Sequence, residues 1–180
     1  MDLGYILVGL IVLFLLIWVI KTINKFKTGM EEVLQSKSGI DIALESRYDT
    51  LTKLKETVKG YAAHEYNTLM QVTELRKGMS IKEMAQVEQQ MQTAFSQINA
   101  VAEQYPDLKA SANFLMLQDQ IVAEEKSLSV ARRVYNSAVT EFNKQVVSIP
   151  SCLIAPLASA KRQDFFEATA TKRNDVDMSF

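Results

Sequence analysis

Reactive side chains are scarce in this chain. It has one cysteine, Cys152, and one histidine, His64. An intrachain disulfide, a Cys/His metal cluster and a Cys–His catalytic pair are therefore not to be expected. Six glycines and three prolines leave few helix breakers, and the abundance of Ala, Leu, Gln, Glu and Lys favours helix over strand. Gly29, Gly39, Gly60 and Gly78 stand alone, so no Gly-rich phosphate cradle exists and nucleotide hydrolysis has no support. Charge of one sign is also missing. The net charge is −1, and all Lys and Arg lie beyond Ile20 together with every acid except Asp2, so that portion is formally neutral and suggests no nucleic-acid partner. No low-complexity segment or fixed-period repeat occurs. These absences point to a non-enzyme without cofactor or metal.

What the sequence does have is an uncharged run of eighteen residues, beginning at Leu3 and ending at Ile20. As a helix it covers roughly 27 Å, just short of a typical hydrocarbon core. Backbone groups inside lipid must satisfy one another, and helix is the single-segment solution. Tyr5 and Trp18 sit near its two ends, where amphipathic rings suit the interface. A cleaved signal peptide would carry positive charge before the run, but Lys21, Lys25 and Lys27 all follow it. These residues read as a retained anchor. By the positive-inside rule the lysines place the rest of the chain in the cytoplasm, with contact to anionic headgroups as a secondary role.

Beyond the anchor, 3–4 spacing of apolar residues predicts three long helices. Over residues 30–74, Ile40, Leu44, Leu51, Leu54, Val58, Tyr61, Leu69 and Val72 form one stripe, with Gly29 and residues 36–39 as places where the helix could bend or stop. Ser80-Ile-Lys-Glu83 has the form of a capping box and starts the second helix. Its stripe of Met84, Val87, Met91, Ala94, Ile98, Val101 and Tyr105 runs to Pro106. Those methionines, with Met79, read as core filler before an adaptable binding surface. The third helix is expected from near Ser111 to Ser148, burying Phe114, Leu117, Ile121, Leu128, Ala131, Tyr135, Ala138, Phe142 and Val146. Short connections imply an up-down-up antiparallel bundle, and residues 164–171, with Phe165 and Phe166, can add a short fourth helix. The expected organisation is an anchor with its basic flank (1–27), an elongated helical bundle (28–171) and a flexible tail (172–180). The fold class is all-α.

Polar residues interrupt the stripes. Arg47, Glu124 and Gln145 stand near positions where an apolar residue belongs, and a polar group there can fix register or oligomeric state. The plainer reading has each at a stripe edge, its head snorkelling to water. Arg132 and Arg133 read as a solvated face. Tyr61, His64 and Glu65 share one helix surface, where Glu65 could tune His64 as an acid–base group; a helix-face hydrogen bond within or between subunits is the plainer assignment. The twelve uncharged residues 149–160 include two prolines and are too short and broken to span a bilayer. With helices of roughly 67, 39 and 55 Å laid end to end up, down and up, they are expected far from the anchor. That places Leu153, Ile154 and Leu157 against a neighbouring subunit or the distal end of the bundle, and argues against lipidation of Cys152.

Several ordered blocks carry a resemblance. They are Arg47-Tyr-Asp-Thr-Leu51, Leu54-Lys-Glu-Thr-Val-Lys-Gly-Tyr-Ala-Ala-His-Glu65, Val72-Thr-Glu-Leu-Arg76, Ala131-Arg-Arg-Val-Tyr-Asn136 and Phe165-Phe-Glu-Ala168. Most telling is Ile98-Asn-Ala-Val-Ala-Glu-Gln-Tyr-Pro-Asp-Leu-Lys-Ala-Ser-Ala-Asn-Phe-Leu-Met-Leu-Gln118. Over about residues 40–170 the chain resembles the LemA family of bacterial membrane proteins. The resemblance implies one N-terminal membrane helix, a four-helix domain and no established enzymatic activity; one branch of the family is tied to magnetosome membranes, which hints at membrane organisation. The chain departs from the family at Leu34-Gln-Ser-Lys-Ser-Gly39, where an Asn-Ala-Trp-Ser-type segment is usual, and at Thr52, where many members have proline. The missing proline favours an unbroken first helix.

Together these features lead to the expectation of a self-associating scaffold in the bacterial inner membrane, with the lipid bilayer and other copies of itself as partners. The alternative is a tethered adaptor that receives a peptide or another membrane or cytoplasmic protein at the second helix or beside Tyr61 and Tyr105. Candidate contacts are Arg47, Tyr61, His64, Glu65, Glu124, Gln145, Leu153, Ile154, Leu157, Phe165 and Phe166.

Overall fold

A computed structural model describes residues 2–61, 75–76 and 78–167. It contains four α-helices among them, α1 (Asp2–Lys59), α2 (Ile81–Gln104), α3 (Pro106–Ala110) and α4 (Ala112–Val147), followed by a 3-10 turn at Ser151–Leu153. The described residues contain no strand. The protein is all-α, as its composition requires.

The first helix is continuous from the apolar run into the amphipathic stretch. Gly29 and Gly39 each cost about 1 kcal/mol relative to Ala, but Phe26, Val33, Ile40 and Leu44 are all buried in phase around them. Each such side chain contributes about 1.5–3 kcal/mol on burial, so packing overrides the weak positions. The helix ends at Lys59, short of the expected 74. Gly60 begins a turn in which the Tyr61 amide donates to the Val58 carbonyl at 2.9 Å. Leu69 and Val72 lie outside the described residues. The part of α1 before Trp18 is exposed throughout, and α1 is long and apolar enough to cross a membrane.

The second helix begins as its capping box dictates. Ser80 Oγ accepts from the Glu83 amide at 3.2 Å, and the Ser80 amide donates to Glu83 Oε2 at 2.7 Å. Met84, Val87, Met91, Ala94 and Ile98 are buried, as is Met79, so the methionines are core. Pro106 stops α2 and opens α3 as its N1 residue, where a missing amide costs nothing. The Ser111 hydroxyl accepts from the Phe114 amide at 3.2 Å and starts α4.

The chain packs as two compact units, Met1–Ser36 with Val134–Asp164, and Lys37–Arg133 with Phe165–Phe180. In the second unit, Ser46 bonds Glu124 while Asn113 bonds Thr57, so α1 and α4 are antiparallel. Asn99 with Gln118 and Glu88 with Arg132 make α2 and α4 antiparallel as well. The third pairing differs from the expected up-down-up order. Lys37 reaches the Met79 carbonyl at 2.5 Å and Arg47 reaches Gln92 at 2.8 Å, so α1 and α2 run parallel. The cause is the early stop at Gly60, which makes the connection between α1 and α2 a long return instead of a tight turn.

In the first unit, the ring of Phe142 lies 3.2 Å and the amide of Gln145 lies 3.4 Å from where a Cβ on Gly29 would sit. Gly29 therefore does not bend α1; it lets α4 approach closely. Thr22 and Lys25 share a cleft with Ser148 and Ser151. The end of α4 thus returns to the start of the amphipathic part of α1. This overturns the expectation that residues 149–160 lie far from the anchor, which rested on three helices laid alternately up and down.

The expected fourth helix is not formed at residues 164–167, which are irregular. Asn143 takes the backbone of Gln163 from both sides, at 2.9 Å to its carbonyl and 2.8 Å from its amide, and the Tyr135 hydroxyl donates to the Asp164 carbonyl at 2.9 Å. Helix 164–171 would need these same groups. Residues 168–171, and the expected tail 172–180, lie outside the described residues.

Candidate functional site

Two features stand apart from ordinary core packing: a charged layer buried in the second unit and an apolar loop in the first. The charged layer is centred on Arg47, which is 1% exposed. Its stripe position places it inside the bundle, where one guanidinium nitrogen pairs with Glu125 and another donates to Gln92. Its Nε has no partner among the described residues. Arg132 completes the layer from α4, at 2.5 Å from Glu88 and 3.2 Å from Glu125, and its guanidinium lies 5.9 Å from the centroid of the buried Phe166 ring. Glu125 thus bridges two arginines.

Glu124 is buried beside this layer, where one carboxyl oxygen accepts from Ser46 at 2.9 Å, Thr50 at 2.8 Å and Gln120 at 3.1 Å. Its other oxygen is unpartnered. Arg47 and Glu124 therefore do not snorkel, and Arg132 is not a free solvated charge. An arginine whose head is fixed by residues of two other helices sets their mutual register, a role attested for buried polar groups. Glu88, Gln92 and Glu125 escape sequence reasoning, because they sit at stripe edges and only the bundle brings them to Arg47 and Arg132. Nearby, burial pushes the Asp41 carboxyl above its ordinary range, Lys37 pulls it down and Glu45 pushes it up. The two Ser80 hydrogen bonds hold Glu83 below its ordinary range.

The loop follows α4. Ser151 Oγ donates to the Gln145 carbonyl at 2.8 Å and the Ser148 carbonyl at 2.9 Å, and the Cys152 and Ala155 amides donate to Ser148 and Ser151. Ala155 is buried, and the Ala160 amide closes back on its carbonyl at 2.9 Å. The loop returns to α4 through Asn143 and Tyr135, whose phenol is pushed up to about 12 by burial and by the Asp164 charge. Its outward side chains are apolar: Ile149 is 87% exposed, Leu153 74% and Leu157 70%. Ile154 and Cys152 are half-buried.

The remaining candidates are dispersed. Leu3, Tyr5, Ile20, Lys21, Lys25 and Lys27 are exposed and Trp18 is half-buried. Tyr61 and Phe165 are exposed, Phe166 is buried, and Gln145 is half-buried with an unpartnered amide oxygen. His64 and Glu65 lie outside the described residues. Sequence periodicity also misses an outer face of α4 on which Leu115, Met116, Val122 and Val130 are exposed.

Comparison with known proteins agrees with the resemblance. The chain is 27% identical over 161 residues to Protein LemA of Metamycoplasma hominis, covering 87% of this chain and 74% of that protein. The sequence model described as the LemA family matches residues 36–180, which take in the whole charged layer and the loop. The chain belongs to the LemA family.

Proposed function

We propose that this protein is a non-catalytic scaffold, held in the bacterial inner membrane by residues 1–27, with its bundle (28–171) in the cytoplasm and self-associating side by side. The observation that carries the reading is the continuity of α1, which makes the exposed apolar run and the start of the bundle one element with no hinge residue acting between them. A second observation supports self-association: the outer face of α4 exposes Leu115 and Val122, seven residues apart and so nearly aligned along the helix. Anchors held in one bilayer raise the effective concentration of such faces, so weak contacts suffice. The methionines that an adaptor groove on the second helix would use are buried in the chain's own core.

Disulfide cross-linking in native membranes tests this reading. A Val122→Cys variant in a Cys152→Ser background should form cross-linked dimers on mild oxidation, while an exposed Glu103→Cys control should not. Equal cross-linking at both positions, or at neither, contradicts association through this face.

A further inference from the structure

The loop at residues 149–157 lies beside the anchor, and nothing in the chain covers its large apolar side chains. Ser148 and Ser151 line a cleft with Thr22 and Lys25, the residues that immediately follow the apolar run. Burial of α1 begins just before this point, at the half-buried Trp18 and Val19 and the buried Thr22. The loop therefore stands at the height along α1 where the apolar run gives way to lysines. Its backbone is tied down by the Ser151, Ala155 and Asn143 hydrogen bonds, so the exposure of Ile149, Leu153 and Leu157 belongs to a built structure.

We propose that this loop is a second membrane contact, with Ile149, Leu153 and Leu157 seated in the interfacial layer of the same bilayer that α1 crosses. The inference rests on the reading of α1 as a membrane span. Three things favour lipid as the occupant. The site adjoins the anchor; its apolar residues are rimmed by exposed cations, Lys21, Lys25, Lys144, Lys161 and Arg162; and the loop has no exposed acid between Ile149 and Ala160 that would be repelled by anionic headgroups. Amphipathic segments with apolar side chains and a cationic rim bind bilayer interfaces in this way. One span alone leaves the protein free to tilt and rotate; a second contact about its base fixes which face of the first unit meets the membrane.

Tryptophan quenching by brominated phospholipids in reconstituted vesicles tests the proposal. Trp18 is the chain's only tryptophan and reports the anchor. In a Trp18→Phe background, Leu153→Trp and Leu157→Trp report the loop, and Met116→Trp, roughly 45 Å farther along α4, serves as a control. The proposal expects Trp18 and both loop tryptophans to lose at least half their emission to brominated lipid, and the control to lose little. Quenching of Trp18 without the loop positions overturns the proposal and leaves the anchor intact. A loop tryptophan that emits at short wavelength but is not quenched assigns the loop to a second copy instead, and also overturns it. Absence of quenching at Trp18 refutes the anchor and the proposal together.

Discussion

Replacing Arg47 separates its charge from its volume. Arg47→Ala removes the partner of Glu125 and Gln92 and leaves a void at a core position of α1. Breaking a buried pair costs about 3–5 kcal/mol, and an unfilled cavity adds to that. Here the loss is moderated, because Glu125 is 35% exposed and keeps Arg132 at 3.2 Å. The net expectation for Ala is therefore about 3–5 kcal/mol. Arg47→Met fills most of the same volume with an apolar chain that demands no hydrogen bond, and the native guanidinium already leaves its Nε unpartnered. Methionine should thus cost no more than about 2 kcal/mol. For a chain of this size 1 kcal/mol shifts Tm by roughly 2–4 °C, so Ala should lower it by roughly 6–20 °C and Met by less than about 8 °C. Thermal unfolding of the detergent-solubilised protein, followed by far-UV circular dichroism, gives both numbers. Equal losses for the two variants, or no loss for either, would refute the assignment of Arg47 to a filled, charged core position.

At Gly29, Ala should be tolerated while Leu should destabilise the first unit, because Phe142 stands 3.2 Å from the new Cβ and a longer side chain cannot fit; amide exchange on α4 near Phe142 reports the difference. Ser80→Ala should cost about 1 kcal/mol through loss of the α2 cap, seen in denaturant midpoints. The Glu83 half of that cap is depressed in pKa when folded, so its contribution is present above pH 4.5 and disappears as pH falls through the lower folded value; Glu83→Gln should flatten this dependence. Tyr135 behaves oppositely. Its folded pKa is raised from 10 to about 12, so the stability it contributes is complete below pH 10 and is lost between there and about pH 12, and Tyr135→Phe should abolish that loss in alkaline unfolding curves.

Periodicity and capping made most of the fold legible. The Ser80 box, the Pro106 stop and the stripes of α2 and α4 follow from local chemistry, and the structure has them at those residues. What could not be read was direction. Whether the chain turns tightly or makes a long return after α1 depends on where the helix ends, and Gly60 is one weak helix former among several, two of which, Gly29 and Gly39, α1 passes straight through. The error in direction then displaced the apolar loop from the anchor to the opposite end. The charged layer shows a different limit. Arg47 was visible as an interruption of a stripe, but its burial depends on Gln92 and Glu125 from two other helices, and cross-helix pairing leaves no signature in the spacing along any one of them.

The scaffold reading stands or falls on the number of copies in the intact particle. Cryo-electron microscopy of the full-length protein extracted in mild detergent should show a uniform assembly of several anchors side by side, with Leu115 and Val122 of one copy at a contact with the next. A monodisperse monomer, in detergent and in reconstituted bilayers alike, would contradict the scaffold and return the exposed face of α4 to a partner of another kind.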